Sequence, residues 1–197
     1  MEYSVVIRTL GTAGDKYQQT LNSIASQTII AKEIIIVLPF GYDLPKEKLG
    51  YEKFVFSPKG MVNQRITGYN ECKTDLILAL DDDVFFEPNF IAEMTQTLLT
   101  TNADFVSPIV RDISTTSGHN IQPHTKSKIL NIKDWLLGIS YKKSLKNRFV
   151  TIVNDSGGFT VNTNIQPNIQ YYNQNGHGTC LFGKTQKIKD IHFEDEL

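Results

Sequence analysis

At 197 residues, 40% of them hydrophobic and 21% charged, the chain has the size and composition of one soluble globular domain built on one core. Its 20 basic and 21 acidic side chains leave a formal net charge of -1, which excludes a whole-molecule field drawing it to nucleic acid or to an anionic membrane. Cys72 and Cys180, its two cysteines, form no CxxC spacing, so neither a disulfide framework nor a cysteine zinc site is expected, and a cytoplasmic setting is favoured.

The elements follow in chain order. "MEYSVVIRTLG" has no basic stretch ahead of a long apolar one, and no run approaches the roughly eighteen apolar residues that span a bilayer. Within it, "YSVVIRT" (3–9) is a β-branched run, followed by Gly11 and Gly14. "DKYQQTLNSIASQT" then carries Tyr17, Leu21, Ile24 and Ala25 at helical spacing, giving strand, glycine loop, helix. "KEIIIVL" (32–38) is continuously apolar, the pattern of a strand buried on both faces of a parallel sheet. Pro39 and Gly41 open a loop, "EKFVFS" (52–57) reads as a short strand, and "MVNQRITGYNECK" (61–73) as a helix interrupted by Gly68.

"DLILAL" (75–80) is the next buried strand. Glu87 and Pro88 suit a helix start, with Phe90, Ile91, Met94 and Leu98 as its apolar stripe. "ADFVSPIV" (103–110) reads as a strand, and Arg111 to Thr125 as a polar loop. "IKDWLLGISYKKSL" (132–145) reads as a helix, and "RFVTIV" and "GGFTVNT" as strands around the turn "NDSGG". Strands alternating with helices predict an α/β domain with a mostly parallel central sheet flanked by helices. Neither a repeat nor a linker divides residues 1–197, so a single domain is expected.

Asp81, Asp82 and Asp83 stand side by side where "LILAL" ends. Adjacent carboxylates repel and hold protons when enclosed, unless a cation offsets them. In an open parallel sheet the ligand site lies beyond the carboxyl ends of the strands, where these aspartates fall. In an extended chain Asp81 and Asp83 would share one side and Asp82 the other, and two carboxylates on one side suit a hydrated hard cation bridging a phosphate. A helix cap or a solvated acidic turn is the competing reading. An EF-hand loop is excluded by the missing glycine at its sixth position.

"SVVIRT", "LNSIASQT", "KEIIIV" and "QRITGYNECKTDLILALDDDVFFEPNFI" together resemble the GT-A fold family 2 glycosyltransferases, the last segment holding their DXD-type motif. The resemblance resumes at "GTCLFGKTQKIKDIHFEDEL". It implies a Rossmann-like GT-A domain whose residues 1–110 form the nucleotide-binding half and 111–197 the acceptor-side half. It implies an inverting, metal-dependent hexosyltransferase of polysaccharide biosynthesis, taking a nucleotide-diphospho-sugar, with a UDP-sugar favoured, to a glycan or lipid-linked acceptor hydroxyl. A membrane-bound acceptor would call for peripheral association, and no nucleic acid partner is implied.

Carried onto this chain, the resemblance places Arg8, Thr9 and Arg65 at the nucleotide, Asp81 or Asp82 at the ribose, and Asp83 with Asp81 at Mn²⁺ or Mg²⁺. It makes Asp195, with Glu194 second, the general base of "HFEDEL", and leaves His177 and His192 as packing or surface residues. Two departures stand out. Leu38 occupies the place where relatives carry a base-binding aspartate, with Asp43 several residues on, which puts recognition of uracil in question. Relatives also continue past the Glu-Asp motif with a covering helix, so a shortened C-terminal part is expected, and with it the alternative of a donor-binding, catalytically inactive module. A nucleotidyltransferase would want a richer basic glycine loop than "RTLGTAGDK". The terminal "EDEL" is no retrieval signal without an entry signal.

Overall fold

Val5, Val6 and Ile7 are stiff, branched side chains that pack well on a pleated surface, and they form the middle of β1 (Tyr3–Arg8). The computed structural model describes residues 1–108, 140–142, 149–153, 159–162, 166, 170–173 and 179–190. The chain divides into two units, Met1–Pro108 with His177–Leu197, and Ile109–Gly176.

In the first unit β1 is followed by α1 (Asp15–Ala25), β2 (Glu33–Pro39), β3 (Lys53–Ser57), α2 (Met61–Glu71), β4 (Leu76–Asp81), α3 (Phe90–Thr101) and β5 (Phe105–Val106). The six-stranded sheet has the order β3-β2-β1-β4-β10-β5, in which β10 (Cys180–Lys184) arrives from late in the chain and leads into the short α4 (Thr185–Lys189). β1 pairs in parallel with β2 and β4, and β2 with β3; β10 runs antiparallel to both β4 and β5.

Both faces of this sheet are covered, which is why its central strands read as unbroken apolar runs. Val5, Ile7, Ile34, Ile36, Leu76, Leu78 and Leu80 face α1 and α3, meeting Leu21, Ile24, Ile91 and Leu98. The alternate residues Val6, Ile35, Val37, Ile77 and Ala79 face α2 and α4, meeting Tyr69, Cys72 and Ile188. Gly68 explains itself here: a Cβ on it would lie 2.4 Å from Val6 Cγ1 and 2.9 Å from Val37 Cγ2. The glycine lets α2 lie directly on the sheet, and this close approach outweighs its weak helix propensity.

Two expectations are corrected. Of the strand expected over 103–110, residues 109–110 lie outside the described residues, and within 103–108 the strand is Phe105–Val106, paired with Gly183 and Phe182. Pro108 has no N–H for a ladder, and the Ser107 hydroxyl instead donates to Cys180 O at 2.7 Å. The helix expected over 132–145 contains a strand, β6 (Ser140–Lys142). Gly138 weakens a helix at this point, and pairing with β8 (Phe159–Asn162) supplies backbone partners from outside the segment. The rest of that segment, and the loop 111–125, lie outside the described residues.

The second unit holds a four-stranded sheet of order β6-β8-β7-β9, with β7 at Phe149–Val153 and β9 at Tyr172–Asn173. β7 and β8 are antiparallel, as the run of two strands around "NDSGG" predicts.

Candidate functional site

The carboxyl ends of β1, β2 and β4 meet the first turns of α2 at one rim of the larger sheet. Register sets this up: Arg8, the last residue of β1, is the lateral partner of Val37 on one side and of Asp81 on the other. The Asp81 N–H donates to Thr179 O at 3.0 Å, so the end of β4 is also tied to the chain entering β10.

Asp81 takes two guanidiniums on one oxygen. Arg8 Nε lies 2.8 Å from its Oδ1 and an Arg65 terminal nitrogen 3.4 Å from the same atom. Arg8 Nε has no aligned hydrogen-bond acceptor among the described residues, so its contact is a charge pair without a directed bond. Burial raises the Asp81 carboxyl above the ordinary carboxylate value; Arg8 and Arg65 oppose the rise, and Asp83 adds to it. Against Arg8 and Arg65 stand Asp81, Asp82 and Asp83, so carboxylates outnumber guanidiniums at the rim, an imbalance that a cation would offset.

After Asp81 the strand stops. Asp82 and Asp83 are in a turn, so the alternation expected of an extended chain ends at Asp81. Asp82 is pinned: the Thr9 hydroxyl donates to its Oδ2 at 2.5 Å, and the Thr20 hydroxyl reaches its carbonyl at 3.3 Å. Thr9 is itself 4% exposed and accepts the Gly11 N–H at 2.9 Å. Asp83 is exposed and makes no hydrogen bond or ion pair among the described residues.

The far end of this acidic loop is held from the chain that follows α1. Gln27, 3% exposed, donates to Glu87 O at 2.8 Å and accepts the Ile91 N–H at 3.0 Å, while the Thr28 N–H donates to Pro88 O at 2.9 Å. Phe86 and Phe90 stack within it, their centroids 4.4 Å apart. The loop is fixed at both ends, and its exposed carboxylate lies between the two anchors.

Beside the rim lies an open cleft of about 440 Å³, lined by Leu10, Gly11, Gly14, Tyr42, Asp43 and Lys46 among others. Gly11 has φ +77°, and a Cβ there would sit 2.8 Å from Asp43 O, so the β1 loop passes against the β2 loop only as glycine. Leu38 is fully buried in the core and cannot face a ligand. Asp43 is therefore the aspartate that the chain after β2 brings to the cleft. Lys59 caps the Tyr42 ring at 5.2 Å. Tyr17, 1% exposed, is held protonated by its burial first, then by the carboxylates of Glu52 and Asp82.

Of the residues the sequence singles out, Arg8, Thr9, Arg65, Asp81, Asp82 and Asp83 gather at this rim. Glu194, Asp195, His192 and His177 lie outside the described residues. The sequence reading passes over Gln64, Thr20 and Gln27. For Gln64 a signal exists: it stands four residues before Gly68, on the same buried face of α2. Among the described residues no group of three or more His, Cys, Asp or Glu side chains is gathered to hold a metal, and no helix is long and apolar enough to cross a membrane.

A mostly parallel α/β sheet with a polar rim at its carboxyl edge defines a GT-A-like domain. The chain belongs to glycosyl transferase family 2, whose sequence model matches residues 43–163, more than half of its length. It is 34% identical over 112 residues to the uncharacterized glycosyltransferase YwdF of Bacillus subtilis (strain 168), a match covering 54% of this chain and 41% of that one. Among solved structures, the bifunctional IspDF of Campylobacter jejuni aligns over 100% of this chain and 45% of its own, with 11% identity and a TM-score of 0.50. S. aureus TarS 1-349 in complex with UDP-GlcNAc aligns over 64% of this chain and 39% of its own, with 14% identity and a TM-score of 0.46. The chain thus spans less than half the length of each of these proteins.

Proposed function

We propose that this chain transfers a sugar from a nucleotide-diphosphate donor to an acceptor hydroxyl, with inversion and with the help of a divalent metal. One observation carries the reading: Arg8, Thr9 and Arg65 converge on Asp81 and Asp82 at the carboxyl edge of a parallel sheet, where such sheets bind ligands. Family membership supplies the reaction class.

Carboxylate oxygens are the ligand type that a hard cation takes. Asp83 is exposed and without a hydrogen-bond partner, and Asp81 offers the oxygen that its arginines leave, so these two would hold Mn²⁺ or Mg²⁺ with waters and donor phosphate completing the shell. The metal would supply Lewis-acid offset of charge on the departing diphosphate. Arg8 and Arg65 bring positive charge to the same phosphates, and Asp82, fixed by Thr9, is set to accept from a ribose hydroxyl. The cleft at Tyr42 and Asp43 takes the nucleotide base.

Asp195, with Glu194 second, removes the acceptor hydroxyl proton as that oxygen attacks the anomeric carbon. The new C–O bond forms as the bond to the diphosphate breaks, and the nucleotide diphosphate leaves with the electron pair. Residues 1–110 serve as the donor half and 111–197 as the acceptor-side half, with a glycan or lipid-linked hydroxyl as acceptor.

The test is turnover of UDP- and GDP-sugars with Mn²⁺ and a pool of glycan and lipid-linked acceptors, the product anomer read by NMR. Inverted product that vanishes on chelation supports the reading. Retained configuration, or transfer untouched by chelation, overturns the mechanism.

A further inference from the structure

We propose that Gln64 is a positioning residue for the donor nucleotide, an inference that rests on the transferase reading above. Gln64 is 4% exposed, and its Nε2 donates to two carbonyls at the ends of neighbouring strands, Thr9 O at 3.0 Å and Val37 O at 2.9 Å. The Thr9 N–H reaches the same Val37 O at 3.1 Å. One carboxamide thus uses both of its protons to fix the chain beyond β1 against β2.

The consequence passes through Thr9. Its hydroxyl accepts the Gly11 N–H and has a single proton, which it gives to Asp82 Oδ2. Gln64 holds the Thr9 backbone, the bonds to Gly11 and Asp82 set the direction of the hydroxyl from that fixed point, and the Asp82 carboxylate is held with it. The next residue on the helix is Arg65, paired with Asp81. One turn of α2 therefore sets both aspartates, one directly through a guanidinium and one through a backbone carbonyl and a hydroxyl.

Gln64 sits on the face of α2 that packs on apolar Val6 and Val37 through Gly68. A buried amide there carries a desolvation cost that an apolar side chain would avoid, and its two bonds offset that cost only in the present geometry. Those bonds end on Thr9 and Val37, at the rim, and nowhere deeper in the sheet.

The experiment compares the full chain with Gln64→Met, which keeps the length and removes both donors, and Gln64→Glu, which sets a carboxylate against two carbonyls. UDP and GDP, each with Mg²⁺, are the probes, with calorimetry for affinity and thermal melting for folding. The unaltered chain is expected to bind at least one nucleotide, and folded Gln64→Met about tenfold more weakly, the scale of one net buried hydrogen bond. Gln64→Glu is expected to bind more weakly still. A readout independent of variant folding is the ¹⁵N side-chain amide of Gln64 in the unaltered chain, expected to resist exchange and to shift at nucleotide saturation. Unaltered affinity in a folded Gln64→Met, or an unmoved amide signal at saturation, overturns this inference and leaves the transferase reading standing. Absence of binding to both nucleotides by the unaltered chain overturns both.

Discussion

The two ends of the larger sheet are built from similar residues and do opposite things with them. At the amino edge, polar groups are spent on one another. Ser4 Oγ donates to Glu33 Oε1 at 2.6 Å and lies 2.6 Å from Thr74 Oγ1, and the Lys73 N–H donates to the same Glu33 oxygen. Lys32 pairs with Glu2, and Lys189 Nζ caps the end of α2 through Asn70 O and Cys72 O. At the carboxyl rim, two guanidiniums share one oxygen of Asp81, and Asp83 faces solvent without a hydrogen-bond partner. A closed network stabilises a fold; the rim, where three aspartates face two arginines, is where the proposed metal would bind.

The comparison breaks most visibly if the sheet between the two edges is not dry. Burial pushes the thiols of Cys72 and Cys180 up to about 12, so thiolate forms only as pH approaches that value. At pH 8 alkylation of the folded chain is expected to run about a thousandfold slower than of the denatured chain. Mass spectrometry of timed iodoacetamide reactions measures this, and comparable rates would deny the packing described. Next in size is Asp83→Asn. It is expected to lower metal-dependent nucleotide binding or transfer by about a hundredfold, as losing one charge-stabilising group does, while leaving the melting temperature in place.

The amino edge should respond in the opposite sense. Glu33→Gln is expected to cost about 1 kcal/mol in denaturant unfolding, the difference between a hydrogen bond to a charged acceptor and one to a neutral amide oxygen, with nucleotide affinity unchanged. Equal effects of Glu33→Gln and Asp83→Asn on affinity would erase the distinction between the edges. The smallest effect belongs to the exposed pair of Lys53 and Glu71. The hydrogen bond from Lys53 holds the Glu71 carboxyl below its usual value, so its contribution is present at neutral pH and fades as pH falls through that lowered value. Exposure and salt screen it, and Lys53→Met is expected to leave the melting temperature unchanged at 0.15 M salt.

Much of the larger sheet was legible because its central strands are covered on both faces, which writes β2 as "EIIIVLP" and β4 as "LILALD". The rim was legible in part: Arg65 and the aspartates carry charge that an apolar context makes conspicuous. Gln64 shows in the sequence only as a face-mate of Gly68, and its meaning lies in carbonyls 55 and 27 residues away. The turn after Asp81 was equally hidden, since it depends on Thr9 and Thr20 reaching Asp82 from other elements. The placement of β6 within a segment of helical pattern has the same origin, a partner strand that local periodicity does not encode.

On the proposed function, the rim binds a nucleotide diphosphate with a divalent metal. Calorimetric titration of the full chain with UDP and with GDP, each with Mn²⁺ and with chelator, tests it most directly. Saturable binding of one of them at one site, weakened at least tenfold by chelation and by Asp83→Asn, is the predicted result. A folded chain that binds neither nucleotide, or binds one equally with Mn²⁺ and with chelator, would contradict a metal-dependent donor site at the rim.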